Sequence, residues 1–144
     1  MKQDGAFLMF PDDKQINLIK TFLVQALEPF LIMLFGSAAA GQLRKDSDFD
    51  IAFLSDREMG SYQLFTLSQQ LADLLGREVH LIDLNTTSTV LQAQVVGKGK
   101  VVFDKEPNRR QEFFILVLKK YARLNEEREP VLARIKERGT VYAG

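Results

Sequence analysis

The sequence predicts an α/β (α+β) protein, with a small mixed sheet of four strands, helices packed on it and a C-terminal helical extension. Two observations predict this class. Apolar stripes at three- and four-residue spacing alternate with short continuous apolar runs, and Gly or Pro marks most of the boundaries. In order the segments read helix, strand, strand, helix, strand, helix, strand, helix, which is the pattern of helices layered on a sheet.

The first helix opens at Asp12, a capping residue with Gln15 three positions on and Pro11 just outside. Ile16, Ile19, Phe22, Leu23, Ala26 and Leu27 form its apolar stripe, and Glu28-Pro29 stops it. Phe30 to Phe35 reads as a buried strand ending at Gly36, and Asp48 to Leu54 as a second strand. Gly60-Ser61 precedes a helix with Leu64, Leu67, Leu71, Leu74 and Leu75 on one side, closed by Gly76. Arg77 to Leu84 is the third strand. Thr86 to Val96 is a helix whose end Gly97 and Gly99 mark, and Lys100 to Phe103 is a short edge strand. Asn108, with Gln111 three on, caps a long helix through about Arg128, with Phe114, Val117, Leu118, Tyr121 and Leu124 facing inward. Pro130 begins a last short helical piece and Gly139 follows its end.

At 144 residues the chain reads as one domain with a real core. It has no cysteine, which excludes disulfides, thiolate metal sites and cysteine nucleophiles. The apolar patch Ala6 to Phe10 is shorter than a signal-peptide core and far short of a membrane span, so cytoplasmic residence and no membrane partner are expected. Net charge is zero, which argues against a broad nucleic-acid-binding surface. The charge is uneven, however. Residues 105–144 carry 10 Lys+Arg against 6 Asp+Glu, a balance of +4, and the rest of the chain balances it at −4. That excess reads either as a solvated basic helix or as an arm for an acidic partner.

The chemistry concentrates in Gly36-Ser37, ten residues, then Asp48-Phe49-Asp50. On a strand, residues two apart point to the same face about 7 Å apart. Two carboxylates at about 6 Å repel by roughly 3 kcal/mol at an effective dielectric near 20, and a divalent cation reverses that balance. Oxygen ligands beside phosphates suit Mg²⁺. Gly36 has no side chain, so a phosphate can approach its backbone. Ser37 adds a hydroxyl, and amides that follow can donate if Ala38-Ala39-Ala40 opens a helix. Phe49 reads as a core residue and Tyr62 as a surface one.

This Gly-Ser-x10-Asp-x-Asp pattern resembles the signature of the polymerase-β-like nucleotidyltransferase superfamily. The short chain is similar to its minimal nucleotidyltransferase (MNT) branch, and within it to the MntA-type antitoxins of HEPN/MNT toxin–antitoxin pairs. The resemblance covers about residues 12–104, the core of a single minimal nucleotidyltransferase domain, with 105–144 as its helical extension. It implies a four-stranded mixed sheet, Mg²⁺, ATP as co-substrate, and AMP transfer to a tyrosine hydroxyl of a HEPN ribonuclease toxin. By position, Asp48 and Asp50 are the metal-holding catalytic acids, and Gly36 and Ser37 the ATP-binding residues.

The sequence departs from the family pattern at three places. Ala38 and Ala40 stand where relatives commonly carry arginines, with Arg44 and Lys45 as the nearest replacements. The strand that supplies a third carboxylate reads Val79-His80-Leu81-Ile82-Asp83-Leu84, so the first acid has become the only histidine. His80 is read either as a catalytic base replacing that acid, working as neutral imidazole, or as a residue completing the strand face. Asp83 has the opposite parity and is expected on the other face, as a strand-end or capping acid. Because of these departures, a catalytically weak antitoxin that neutralises its toxin by direct binding is the alternative reading. A transferase acting on a small hydroxylated molecule ranks below both.

Overall fold

The computed structural model describes residues 8–137. Its elements are α1 (Asp13–Leu27), β1 (Pro29–Phe35), α2 (Ser37–Ala40), β2 (Phe49–Ser55), α3 (Ser61–Leu75), β3 (Val79–Asp83), α4 (Thr89–Lys98), β4 (Lys100–Asp104) and α5 (Pro107–Glu137). The strands form one mixed sheet in the order β3-β2-β1-β4. β1 runs antiparallel to both β2 and β4, whereas β2 and β3 are parallel.

Local chemistry sets the first helix. The Asp12 carboxylate accepts from the Gln15 amide at 2.7 Å, and the Gln15 side chain accepts from the Asp12 amide at 2.9 Å. This reciprocal cap satisfies two donors that the helix start would otherwise leave open. At the other end Glu28 adopts a left-handed conformation, and β1 starts at once.

Both faces of the sheet are covered, which is why β1 reads as an unbroken apolar run. On one face Phe49, Ile51 and Phe53 of β2 pack with Ile32 and Leu34 against Ile19, Leu23 and Leu27 of α1 and Leu71 of α3. On the other, Ala52 and Leu54 pack with Leu31 and Met33 against Leu84, Val95 of α4 and Phe113 and Phe114 of α5. Asp48 and Asp50 have the parity of Ala52 and Leu54, so they belong to this second face.

Four details differ from the sequence reading. Gly97 lies inside α4, and the chain leaves that helix at Gly99, whose amide donates to the Val95 carbonyl at 2.7 Å. α5 starts at Pro107, where a missing N–H costs nothing, so Asn108 is inside the helix and not its cap. The helix continues through Pro130, which starts no new piece. Pro130 has no amide to offer the Glu126 carbonyl, but that turn is solvent-exposed and water can take its place. Leu118 and Leu74, expected inward, are half-exposed. The buried side of α5 runs instead through Phe113, Phe114, Val117, Tyr121 and Leu124, so Leu118 falls just beyond its edge. Gly139 lies outside the described residues.

The first turn of α5 is pinned by two arginines of the basic C-terminal stretch. Arg109 donates to both Asp56 oxygens at 2.8 and 3.0 Å and stacks over the Phe30 ring at 3.9 Å. Arg110 Nε donates to Asp104 Oδ2 at 2.6 Å. The hydrogen bond from Arg109 holds the Asp56 carboxyl below its ordinary 3.8, against a smaller opposing effect of desolvation. A depressed folded pKa contributes stability above the unfolded value and loses it as pH falls through the folded one. Wild type should therefore exceed Asp56→Asn in thermal stability at pH 6, and the gap should close below about pH 4. A gap that persists unchanged at pH 2.5 would mean that the ion pair is not its source.

Candidate functional site

Three neighbouring strands bring the sequence-predicted site together. In register, Phe35 of β1 pairs with Asp50 of β2, and Asp50 pairs with His80 of β3. The β1 end, Asp50 and His80 thus form one row across the sheet. Gly36, the residue after Phe35, begins the bend into α2 with φ +66°. A Cβ at this glycine would lie 2.2 Å from Asp50 Oδ2, so the carboxylate occupies the space that any side chain would need. Glycine is required here on two counts, the left-handed backbone and the contact.

His80 lies against both acids. Its Nδ1 lies 2.9 Å from Asp50 Oδ1, and its Nε2 lies 3.8 Å from Asp48 Oδ2. An ionised carboxylate only accepts, so Nδ1 carries the proton and donates to Asp50. In the neutral ring Nε2 then keeps its lone pair. The His80 side chain is 57% exposed while Asp50 is 24% exposed, so the imidazole faces solvent in front of a more sheltered acid.

Asp48 sits one residue before β2, at the end of a loop whose shape is also fixed. Arg77 Nη1 donates to the carbonyls of Arg44 and Ser47 at 3.1 and 3.0 Å. Its guanidinium lies over the Phe49 ring, 4.8 Å from the centroid. Phe49 itself is fully buried, and its amide donates to the Glu78 carbonyl at 2.9 Å. Sequence reading treated Arg77 only as the start of a strand. The one local signal was an arginine directly after the helix-closing Gly76.

The bend that follows β1 is short. α2 spans only Ser37–Ala40, and its first internal bond runs from the Ala40 amide to the Gly36 carbonyl at 3.2 Å. The amides of Ser37, Ala38 and Ala39 precede that bond and are left for other acceptors. Ala38 is buried and Ala40 exposed, and Arg44 and Lys45 are exposed on the turn leading to Asp48. Asp83 lies on the opposite sheet face, paired with Phe53, and its Oδ1 accepts from the Asn85 amide at 2.9 Å. It closes a turn and is not brought to the Asp48–Asp50 pair. Tyr62 is 81% exposed on α3.

Among the described residues no group of three or more acids and histidines is arranged to hold a metal unaided. Two carboxylates converging on one side are nonetheless the donor set that Mg²⁺ uses when substrate phosphates complete its shell. No helix among the described residues is long and apolar enough to cross a membrane.

The family model described as polymerase beta, nucleotidyltransferase matches residues 17–108. The chain belongs to this nucleotidyltransferase family. A protein adenylyltransferase MntA of Shewanella oneidensis is 35% identical over 102 residues, covering 71% of this chain and 73% of that protein. A crystal structure of a toxin–antitoxin pair with AMP-PNP contains a chain with a TM-score of 0.78 and 32% identity, over 84% of this chain and 98% of that one. A structure of the tri-AMPylated Shewanella oneidensis HEPN toxin in complex with MNT antitoxin matches with a TM-score of 0.73 and 30% identity, over 85% and 97% of the two chains. The mixed four-stranded sheet expected for such a nucleotidyltransferase is the sheet observed.

The contact at residue 36 gives a direct test. Gly36→Ala should cost about 1–2 kcal/mol of stability from the left-handed backbone, measured by chemical denaturation. It should also reduce nucleotidyl transfer by at least tenfold by displacing Asp50. Wild-type stability and activity together in this variant would contradict the close approach.

Proposed function

We propose that this nucleotidyltransferase is an antitoxin acting as a Mg²⁺-dependent protein adenylyltransferase, moving AMP from ATP to a tyrosine hydroxyl of a cognate HEPN ribonuclease toxin. The observation that carries this reading is the row of Gly36, Asp50 and His80, with Asp48 beside the same imidazole. The similarity to MntA-type adenylyltransferases and to antitoxin chains solved with HEPN toxin supports the choice of acceptor. Cytoplasmic residence follows on this reading, because ATP is the donor. Neither nucleic acid nor membrane is needed as a partner.

Each residue has a task that its position allows. Asp48 and Asp50 are the residues that would hold Mg²⁺. Gly36 lets the β and γ phosphates approach the backbone, where Ser37 and the open amides of α2 donate to them. When bound, Mg²⁺ offsets charge at the α-phosphate and on the departing pyrophosphate. His80 faces the acceptor. A tyrosine hydroxyl has a reference pKa of about 10 and reacts poorly at neutral pH without a base. Its proton passes to His80 Nε2, and its oxygen forms the new bond to the α-phosphorus. The bond from that phosphorus to the bridging oxygen breaks, and pyrophosphate leaves with the electron pair. Asp50 contributes twice, since its hydrogen bond to Nδ1 holds the ring in the tautomer with Nε2 free.

One substitution favours a second reading. With an imidazole where relatives place a third acid, the site has fewer negative ligands, and the protein would then protect by contact alone. Intact mass of a cognate HEPN protein, after incubation with Mg²⁺, ATP and this protein, separates the two. Added AMP that disappears in Asp48→Asn/Asp50→Asn is the expected result. Protection without added mass, surviving that double substitution, would establish the contact mechanism instead.

The role of His80 has its own measurement. His80→Ala should lower kcat about 10²–10⁴-fold, the usual range for a lost general base, and His80→Asp should recover part of it. An unchanged rate in the alanine variant would remove His80 from the mechanism.

A further inference from the structure

The two site carboxylates are placed by different means. Asp50 lies within β2 and pairs with β1 on one side and β3 on the other. Asp48 precedes the strand and lies outside that paired register. Its backbone is held instead at both flanking peptide groups, by two consecutive residues of another segment. The Ser47 carbonyl belongs to the peptide before Asp48 and accepts from Arg77 Nη1 at 3.0 Å. The Phe49 amide belongs to the peptide after it and donates to the Glu78 carbonyl at 2.9 Å. Planar peptides on either side of a Cα define its φ and ψ, and with them the direction of its Cα–Cβ bond.

We propose that Arg77 is a positioning residue of this site, aiming the Asp48 carboxylate at the place beside Asp50 where a divalent cation would meet the nucleotide phosphates. The inference rests on the transferase reading and adds a residue that acts through Asp48. Three observations carry it. First, the same Nη1 also donates to the Arg44 carbonyl at 3.1 Å, so one nitrogen clips both ends of the turn 44–47. That turn is closed on itself, with the Ser47 amide donating to the Arg44 carbonyl at 3.2 Å and the Arg44 amide to the Ser47 hydroxyl at 2.7 Å. It moves as one body, and Arg77 ties that body to the end of α3. Second, Arg77 is itself anchored. Gly76 ends α3 with φ +74°, the Arg77 amide donates to the Ala72 carbonyl at 3.3 Å, and the guanidinium lies over the buried Phe49 ring. A planar guanidinium can stack and donate at once, which an ammonium does less well. Third, Mg²⁺ demands near-ideal octahedral geometry at about 2.0–2.1 Å. A small swing of one carboxylate therefore costs metal affinity even where the core stays packed.

The test reads metal binding and not turnover. The complex of Mn²⁺ with AMP-PNP is titrated into isotope-labelled protein, and its binding is followed by paramagnetic broadening of the amide signals of residues 48–51. Arg77→Met keeps an apolar stem over Phe49 but has no donor, and should weaken binding at least tenfold. Arg77→Lys can still donate to a carbonyl and should recover part of that loss. In an Asp48→Asn background, Arg77→Met should change the residual binding by no more than about twofold, because the arginine acts through that carboxylate. An arginine that merely supports the fold would weaken binding equally in both backgrounds, and that outcome overturns the proposal. Unchanged binding in Arg77→Met overturns it as well. If the wild-type protein shows no broadening at all, the transferase reading fails separately. Arg77 is then judged by the metal-free spectra. Asp48 and Phe49 amide signals that move in Arg77→Met and return toward wild type in Arg77→Lys support the positioning role, and signals that stay in place overturn it.

Discussion

On the proposed function, the chemistry depends on the placement of one carboxylate. Asp50 lies on the strand between β1 and β3 and touches both neighbours, with the glycine bend on one side and the imidazole on the other. Neither contact is local in sequence. Each needs its own strand pairing to be in register, and a slip of one residue in either would turn Asp50 or its neighbour to the opposite face. The large apolar side chains on both faces of β1 and β2 hold that register, so the core acts on the site through alignment more than through contact.

The surroundings of Asp50 divide into a rigid side and an open side. Arg77 braces the loop before Asp48 through two carbonyls and the Phe49 ring. His80 stands on the open side, more than half exposed. A transfer site needs both, a fixed set of charges for the donor and free access for a large acceptor.

Much of this was legible in the sequence, and the limits have physical causes. The Gly36-Ser37 bend and the Asp48/Asp50 pair could be read because turn and strand parity are local properties. The opposite parity of Asp83 was read for the same reason. His80 was visible as a departure, but its hydrogen bond to Asp50 depends on a parallel pairing across 30 residues, which no local pattern encodes. Arg77 escaped notice because its partners lie 33 and 30 residues away. Rules for helix ends failed in α4 and α5, where Gly97 and Pro130 sit on exposed turns and disrupt little. Arg109 and Arg110 belong to the basic stretch that reads as a solvated helix or an arm, and only the fold places Asp56 and Asp104 opposite them.

The long C-terminal helix has a mechanical meaning. Its half-buried contacts extend to Leu124, and every side chain from 125 to 130 is exposed. Helical rise carries residues 125–137 roughly 20 Å past the last of those contacts. The packed part, from the first turn where Arg109 grips Asp56 just beyond the end of β2 to Leu124, anchors the helix, and the solvated part beyond it is an arm held out from the sheet.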